Sequence, residues 1–175
     1  AASAREELIL SLADKVLGVR GVRGYFLEHV LRSIEDAANA WLLRLCGNHG
    51  EMRLSLSPQS EKVAGGVRDV IAMKVSYGGG TYQSSSRGER RRVDVAMMLA
   101  TAQLHDESHD GEARTLWFDE PFDALDPAGV EAAATVLQEL AERQPVVVIS
   151  HNEQLVRLLR PEAHYKVAGG RVRKG

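Results

Sequence analysis

The stretch Thr115-Leu-Trp-Phe-Asp-Glu-Pro-Phe-Asp-Ala-Leu-Asp-Pro127 decides how this chain folds. A short apolar run ends in two adjacent carboxylates, Asp119 and Glu120, and Pro121 then stops the strand because it brings no N–H to a ladder. Both acids are thereby delivered to the C-terminal edge of a sheet, where open α/β sheets bind ligands. Asp119 suits a magnesium ion held through its water shell, and Glu120 suits the orientation or deprotonation of an attacking water. That division of labour is what phosphoryl transfer requires, so the pair reads as a nucleotide-hydrolysis site. The plainer explanation of two acids after a strand is a helix N-terminus that favours negative charge. The flanking sequence weighs toward the first reading.

Downstream, an amphipathic helix is predicted from about Pro127 to Arg143, with proline at the favoured first position. The all-apolar run Val146-Val-Val-Ile149 follows and leads into Ser150-His151-Asn152. A helical crossover between two apolar strands is the parallel βαβ unit, so His151 is expected at the same sheet edge as Asp119 and Glu120. Upstream, Ser84-Ser-Ser-Arg-Gly-Glu89 ends a loop that begins at Gly78-Gly-Gly80 and opens a helix expected from about Gly88 to Leu104. At that helix start the Ser86 hydroxyl and the backbone amides would face a phosphate, and Gly88 would permit close approach. Ser86-x-x-Glu89 is equally a capping box, in which the two residues satisfy orphan amides and need no ligand. Arg90-Arg-Arg92 reads as a solvated helix face, the alternative being positive potential toward nucleotide or DNA.

Elsewhere the pattern is simpler. Leu8, Leu12 and Val16 predict a helix from about Ser3 to Val19, and Phe26, Val30, Ile34, Ala37, Trp41 and Leu45 predict another from about Val22 to Cys46; periodicity alone implies that both pack into a core. Met52–Leu56 and Asp69–Tyr77 read as strands, with Ser57 to Gly66 a polar turn region between them. His105-Asp-Glu-Ser-His-Asp-Gly-Glu112 reads as a polar surface loop, because no second cluster completes a closed metal site. A short helix over Glu153–Leu159 and a hairpin of His164–Val167 with Arg171–Arg173 close the chain.

The 175 residues suit one domain, and a formal net charge of -2 excludes a generally basic nucleic-acid binder, leaving only a local patch. The single cysteine, Cys46, has no internal disulfide partner, so a cytosolic or nuclear compartment is expected. No run approaches the roughly twenty apolar residues needed to span a bilayer, and no membrane association is expected.

These motifs carry a resemblance. Phe118-Asp-Glu-Pro-Phe-Asp-Ala-Leu-Asp126 resembles the Walker B segment, catalytic glutamate and D-loop of ABC-type ATPases; Ile149-Ser-His151 resembles their switch histidine, and Ser84–Ala100 their signature and its helix. Within that superfamily the chain looks most like the C-terminal half of SbcC-type DNA-repair ATPases, related to the ATPase subunit of the MRN complex. The resemblance implies an α/β fold: the C-terminal lobe of an ABC-type P-loop NTPase head, with a mainly parallel sheet, flanking helices and a coiled-coil stub. Residues 1–20 would be the coiled-coil end and 21–175 the lobe. The implied ligands are ATP and magnesium, with Asp119 on the metal, Glu120 as general base and His151 near the terminal phosphate. Ser86, Arg87, Gly88 and Glu89 would face nucleotide on an opposite head, and Asp126 would lie at the junction. Arg87 stands where the family's signature usually has glycine, and Ser85 where it often has leucine, which argues against a transporter.

No G-x-x-x-x-G-K-[ST] sequence occurs in the chain. The resemblance explains this, since the phosphate loop of SbcC-type proteins lies in an N-terminal half beyond a long coiled coil; the helix that begins near Ser3 without a clear start signal fits the same picture. The expected partners are that N-terminal lobe, a second copy of the head, an SbcD-type nuclease and double-stranded DNA, in a nucleoid-associated setting. An SMC or RecF-type head and a non-hydrolysing clamp are the rival readings.

Overall fold

A computed structural model describes residues 2–18, 21–46, 52–63, 66–76, 82–107 and 115–175. In chain order these form helices α1 (Ala2–Leu17) and α2 (Val22–Cys46), strands β1 (Arg53–Val63) and β2 (Gly66–Ser76), and a 3-10 turn at Tyr82–Ser84. There follow α3 (Arg87–Glu107), β3 (Leu116–Asp119), α4 (Pro127–Ala141), β4 (Val146–Ile149), α5 (Glu153–Leu159), β5 (Tyr165–Ala168) and β6 (Arg171–Lys174).

The predicted βαβ unit is present. β3 and β4 pair in parallel, with Leu116 opposite Val146 and Asp119 opposite Ile149, and α4 is the crossover. α4 starts where it does because Asp126 caps it, accepting from the Gly129 N–H at 3.1 Å, and Pro127 opens its first turn. Its buried face of Val130, Ala133, Val136, Leu137 and Leu140 joins Phe118 of β3, Leu155 of α5 and the α2 residues Ala38, Leu42 and Leu45 in one core. Leu42 and Leu45 are essentially inaccessible, and each contributes about 2 kcal/mol through burial.

α2 also manages a strand edge. Its Asn39 side chain both donates to and accepts from the Leu54 backbone, at 2.9 and 2.8 Å, while Glu35 accepts the Leu56 N–H at 2.8 Å. These bonds satisfy β1 groups that a neighbouring strand would otherwise pair.

Four expectations are corrected. The sheet is not mainly parallel among the described residues: β3–β4 is parallel, but β1–β2 and β5–β6 are antiparallel ribbons. Two-residue connections force antiparallel pairing, and at Gly169-Gly170, with φ of 55° and 72°, they make the left-handed turn that hairpins favour. Ser57 to Gly66 is not a polar turn region, since β1 continues to Val63 and pairs residue by residue with β2, Pro58 standing opposite Ile71. Pro58 and Gln59 are exposed, and no apolar alternation in the sequence marks this extension. α1 forms as predicted, but Leu8, Ile9, Leu12, Val16 and Leu17 are exposed rather than packed in the core. Arg92, read as part of a solvated face, is buried.

The expected Gly78–Gly80 loop and most of the His105–Glu112 loop lie outside the described residues. Among the described residues no helix is long and apolar enough to cross a membrane.

Candidate active site

The sheet edge brings the three residues expected there together. Asp119 ends β3, and the Glu120 N–H continues the parallel ladder by one bond, to the Ile149 carbonyl at 2.9 Å. Glu120 then turns sharply with φ of 47°, a left-handed conformation that costs a non-glycine residue about 1–2 kcal/mol. Its Oε1 accepts from the His151 backbone N–H at 3.1 Å and lies 2.8 Å from His151 Nδ1. The hydrogen bond to Glu120, and then its charge, hold the His151 imidazole above its usual pKa, with Asp123 adding to the effect. His151 Nε2 is 4.0 Å from Asp123 Oδ1.

The Asp119 carboxylate is exposed and has no side-chain partner among the described residues. A single free carboxylate fits magnesium, which keeps several waters and takes phosphate oxygens, better than it fits a metal caged by protein ligands. No group of three or more His, Cys, Asp or Glu able to cage a metal occurs among the described residues.

At the start of α3 the capping box is closed. The Ser86 N–H donates to Glu89 Oε2 at 2.7 Å, and the Glu89 N–H donates to Ser86 Oγ at 3.2 Å. Gly88 is used inside the protein as well, because a Cβ there would meet the Ala124 carbonyl oxygen at 2.9 Å. Ala124 itself has φ of 67°, so a sharply turned loop presses its backbone against the first turn of α3. Arg87 bridges the two segments through a 2.8 Å ion pair with Asp123. Asp126, although exposed, caps α4 and accepts from Arg92 at 2.5 Å.

Sequence reasoning missed Asp123, Arg91 and Arg92. Arg91 donates to the Glu120 carbonyl, and Arg92 also donates to the Leu45 carbonyl at 3.3 Å. A signal for Arg92 existed: it shares a helical stripe with Ala96 and Leu99, both buried. Arg87, Arg90 and Arg91 line an open recess of about 470 Å³ together with Tyr82, Asp94 and Asp123. There the Tyr82 hydroxyl donates to Asp94 at 2.8 Å, which pushes the phenol pKa up.

No protein-family model matches the chain. Over 74 residues it is 32% identical to exonuclease subunit 2 of Escherichia phage RB69, covering 42% of this chain but only 13% of the phage protein. The fold is similar to a structure from work on ATP-driven dimerisation and DNA-stimulated activation of SMC ATPases, with a TM-score of 0.62 and 17% identity over 86% of this chain and 87% of that one. It is also similar to an Smc head bound to the C-terminal winged-helix domain of ScpA, with a TM-score of 0.64 and 17% identity over 94% and 48% of the two chains. The Smc head with coiled coil and joint from Pyrococcus yayanosii gives a TM-score of 0.63 and 18% identity over 99% and 31%. The chain spans about half or less of these last two structures. The chain thus has a mixed α/β fold similar to that of SMC head domains.

Proposed function

We propose that this chain is the C-terminal half of an SbcC-type DNA-repair ATPase head, which binds and hydrolyses ATP with magnesium once its N-terminal half is present. The single observation that carries the reading is the contact of Glu120 with His151 beside the free Asp119 carboxylate, all at the C-terminal edge of a parallel strand pair. Support comes from the likeness of the fold to SMC ATPase heads and from the local identity to a phage exonuclease subunit. On this reading residues 21–175 are the lobe and residues 1–20 the end of a coiled coil, whose seam is the exposed apolar stripe of α1.

Magnesium bound at Asp119 would neutralise charge on the phosphates. Glu120 would accept the proton of the attacking water, and His151 would hold the Glu120 carboxylate until nucleotide arrives. Ser86 and Gly88 would meet ATP on a second head, so that ATP pairs heads and hydrolysis parts them; the paired state would govern DNA-end processing by a partner nuclease of the SbcD type. The setting would be cytoplasmic and nucleoid-associated. A chromosome-organising head is the second reading, favoured by the ScpA-bound neighbours.

The test uses the complete protein with both halves. Glu120→Gln should retain ATP-dependent head pairing in light scattering while lowering phosphate release by about 100-fold or more, as loss of a positioned base does. Ser86→Arg should instead abolish pairing while each head still binds nucleotide. Wild-type turnover in Glu120→Gln would end the assignment.

A further inference from the structure

We infer that Arg91 is a positioning residue for hydrolysis, setting the line of the Glu120 carboxylate by clamping the strained backbone beneath it; the inference rests on the ATPase reading above. Glu120 occupies a left-handed conformation that an L-residue with a side chain adopts only when its surroundings impose it. Three groups do so. The Ile149 carbonyl of β4 takes the Glu120 N–H, His151 holds the carboxylate, and the guanidinium of Arg91, arriving from α3, takes the carbonyl. The second bond to that carbonyl, from the Asp123 N–H, is long at 3.5 Å. Arg91 is therefore the principal partner of the one backbone group whose direction fixes the turn after β3.

The other features of Arg91 suit this task better than nucleotide contact. It is half-buried, whereas Arg90 beside it is exposed. It lines both the open recess of Tyr82 and Asp123 and a smaller one lined by Val95, Met98, Trp117 and Asp119, and so forms part of the wall between them. A planar guanidinium can aim one N–H at a carbonyl while its stem stays fixed. Without it the Glu120 peptide is free to relax toward negative φ, which swings the carboxylate away from water placed against a bound phosphate. Misplacement of a catalytic group by about 1 Å can lower a rate by about 100-fold.

The experiment measures steady-state ATP hydrolysis by the complete protein as wild type, Arg91→Met, Arg91→Lys and Glu120→Gln, with folding checked by circular dichroism melts. Arg91→Met should lower kcat by about 10- to 100-fold with the KM for ATP changed less than about twofold, and Arg91→Lys, which keeps a donor, should recover part of the loss. Should Arg91→Met fail to fold, Arg91→Gln is read in its place. If kcat stays within about twofold of wild type while Glu120→Gln is inactive, the inference is overturned and the ATPase reading stands. A raised KM at unchanged kcat would make Arg91 a nucleotide contact and also overturn it. If Glu120→Gln hydrolyses ATP like wild type, the ATPase reading itself fails and takes the inference with it.

Discussion

Asp126→Ala should destabilise the chain by about 2–3 kcal/mol, and the structure says where each part comes from. One oxygen of Asp126 does two things: it accepts the Gly129 N–H at 3.1 Å as the cap of α4, and it accepts Arg92 at 2.5 Å. Losing an aspartate cap costs about 1 kcal/mol. Removing one partner of a fully buried ion pair costs about 3–5 kcal/mol, because the other charge is left without compensation. Here the Arg92 side chain is 10% exposed but that of Asp126 is 48% exposed, so water screens the pair and about 1–2 kcal/mol is expected from it. For a chain of this size the sum lowers the melting temperature by roughly 5–10 °C. Asp126→Asn keeps a cap oxygen and loses the charge, so it should cost about 1 kcal/mol less than Asp126→Ala. In a double-mutant cycle with Arg92→Met, urea denaturation should show the two losses to be less than additive, since neither charge is then left alone. An Asp126→Ala variant within about 0.5 kcal/mol of wild type would refute the reasoning, and it would place Arg92 in contact with solvent.

Two further outcomes follow from the site and its surroundings. The folded pKa of His151 lies above its unfolded value, so the His151–Glu120 ion pair is fully formed below about pH 6.5 and is lost as pH rises through the raised folded pKa; an imidazole titration by NMR should show a midpoint above that of a free histidine, and Glu120→Gln should bring it down. Trp117 on β3 is 68% exposed and Ile149 on β4 is 51% exposed, so adding the N-terminal half to a Trp41→Phe version of this chain should shift the remaining tryptophan emission to shorter wavelength, and an unchanged spectrum would mean that this face stays wet.

The β3–α4–β4 unit was legible because every local signal agreed. The apolar runs Leu116–Phe118 and Val146–Ile149 have strand length, Pro121 ends one of them, and Asp126-Pro127 starts the helix between. The meeting of Glu120 with His151 followed from that unit, since a parallel crossover returns both strand ends to one edge. The arginines were not legible. Three in a row look solvated by composition, yet Arg92 is buried and paired with a carboxylate 34 residues away that no local pattern announces. The extension of β1 was hidden for a different reason: the run from Ser57 to Lys62 carries no apolar alternation, and the strand shows in its pairing with β2. α1 shows the limit of periodicity, which reports a helix with an apolar stripe but not what covers the stripe.

The first turns of α3 and the segment from Asp119 to Asp126 behave mechanically as one piece. Arg87, Arg91 and Arg92 stand at i, i+4 and i+5, close enough around the helix to reach three successive acceptors: the Asp123 carboxylate, the Glu120 carbonyl and the Asp126 carboxylate. Between them Gly88 leaves no gap, since even a methyl group would press on the Ala124 carbonyl. The segment it presses on holds two left-handed residues, Glu120 and Ala124, whose turns are strained and so depend on these outside contacts to persist. On the proposed function, a ligand that moved the Ser86 end of α3 would shift the Glu120 carboxylate as well, through the packed backbone and the three guanidinium contacts. On the proposed function, the same helix that would present Ser86 to one nucleotide would set the geometry of Glu120 toward another.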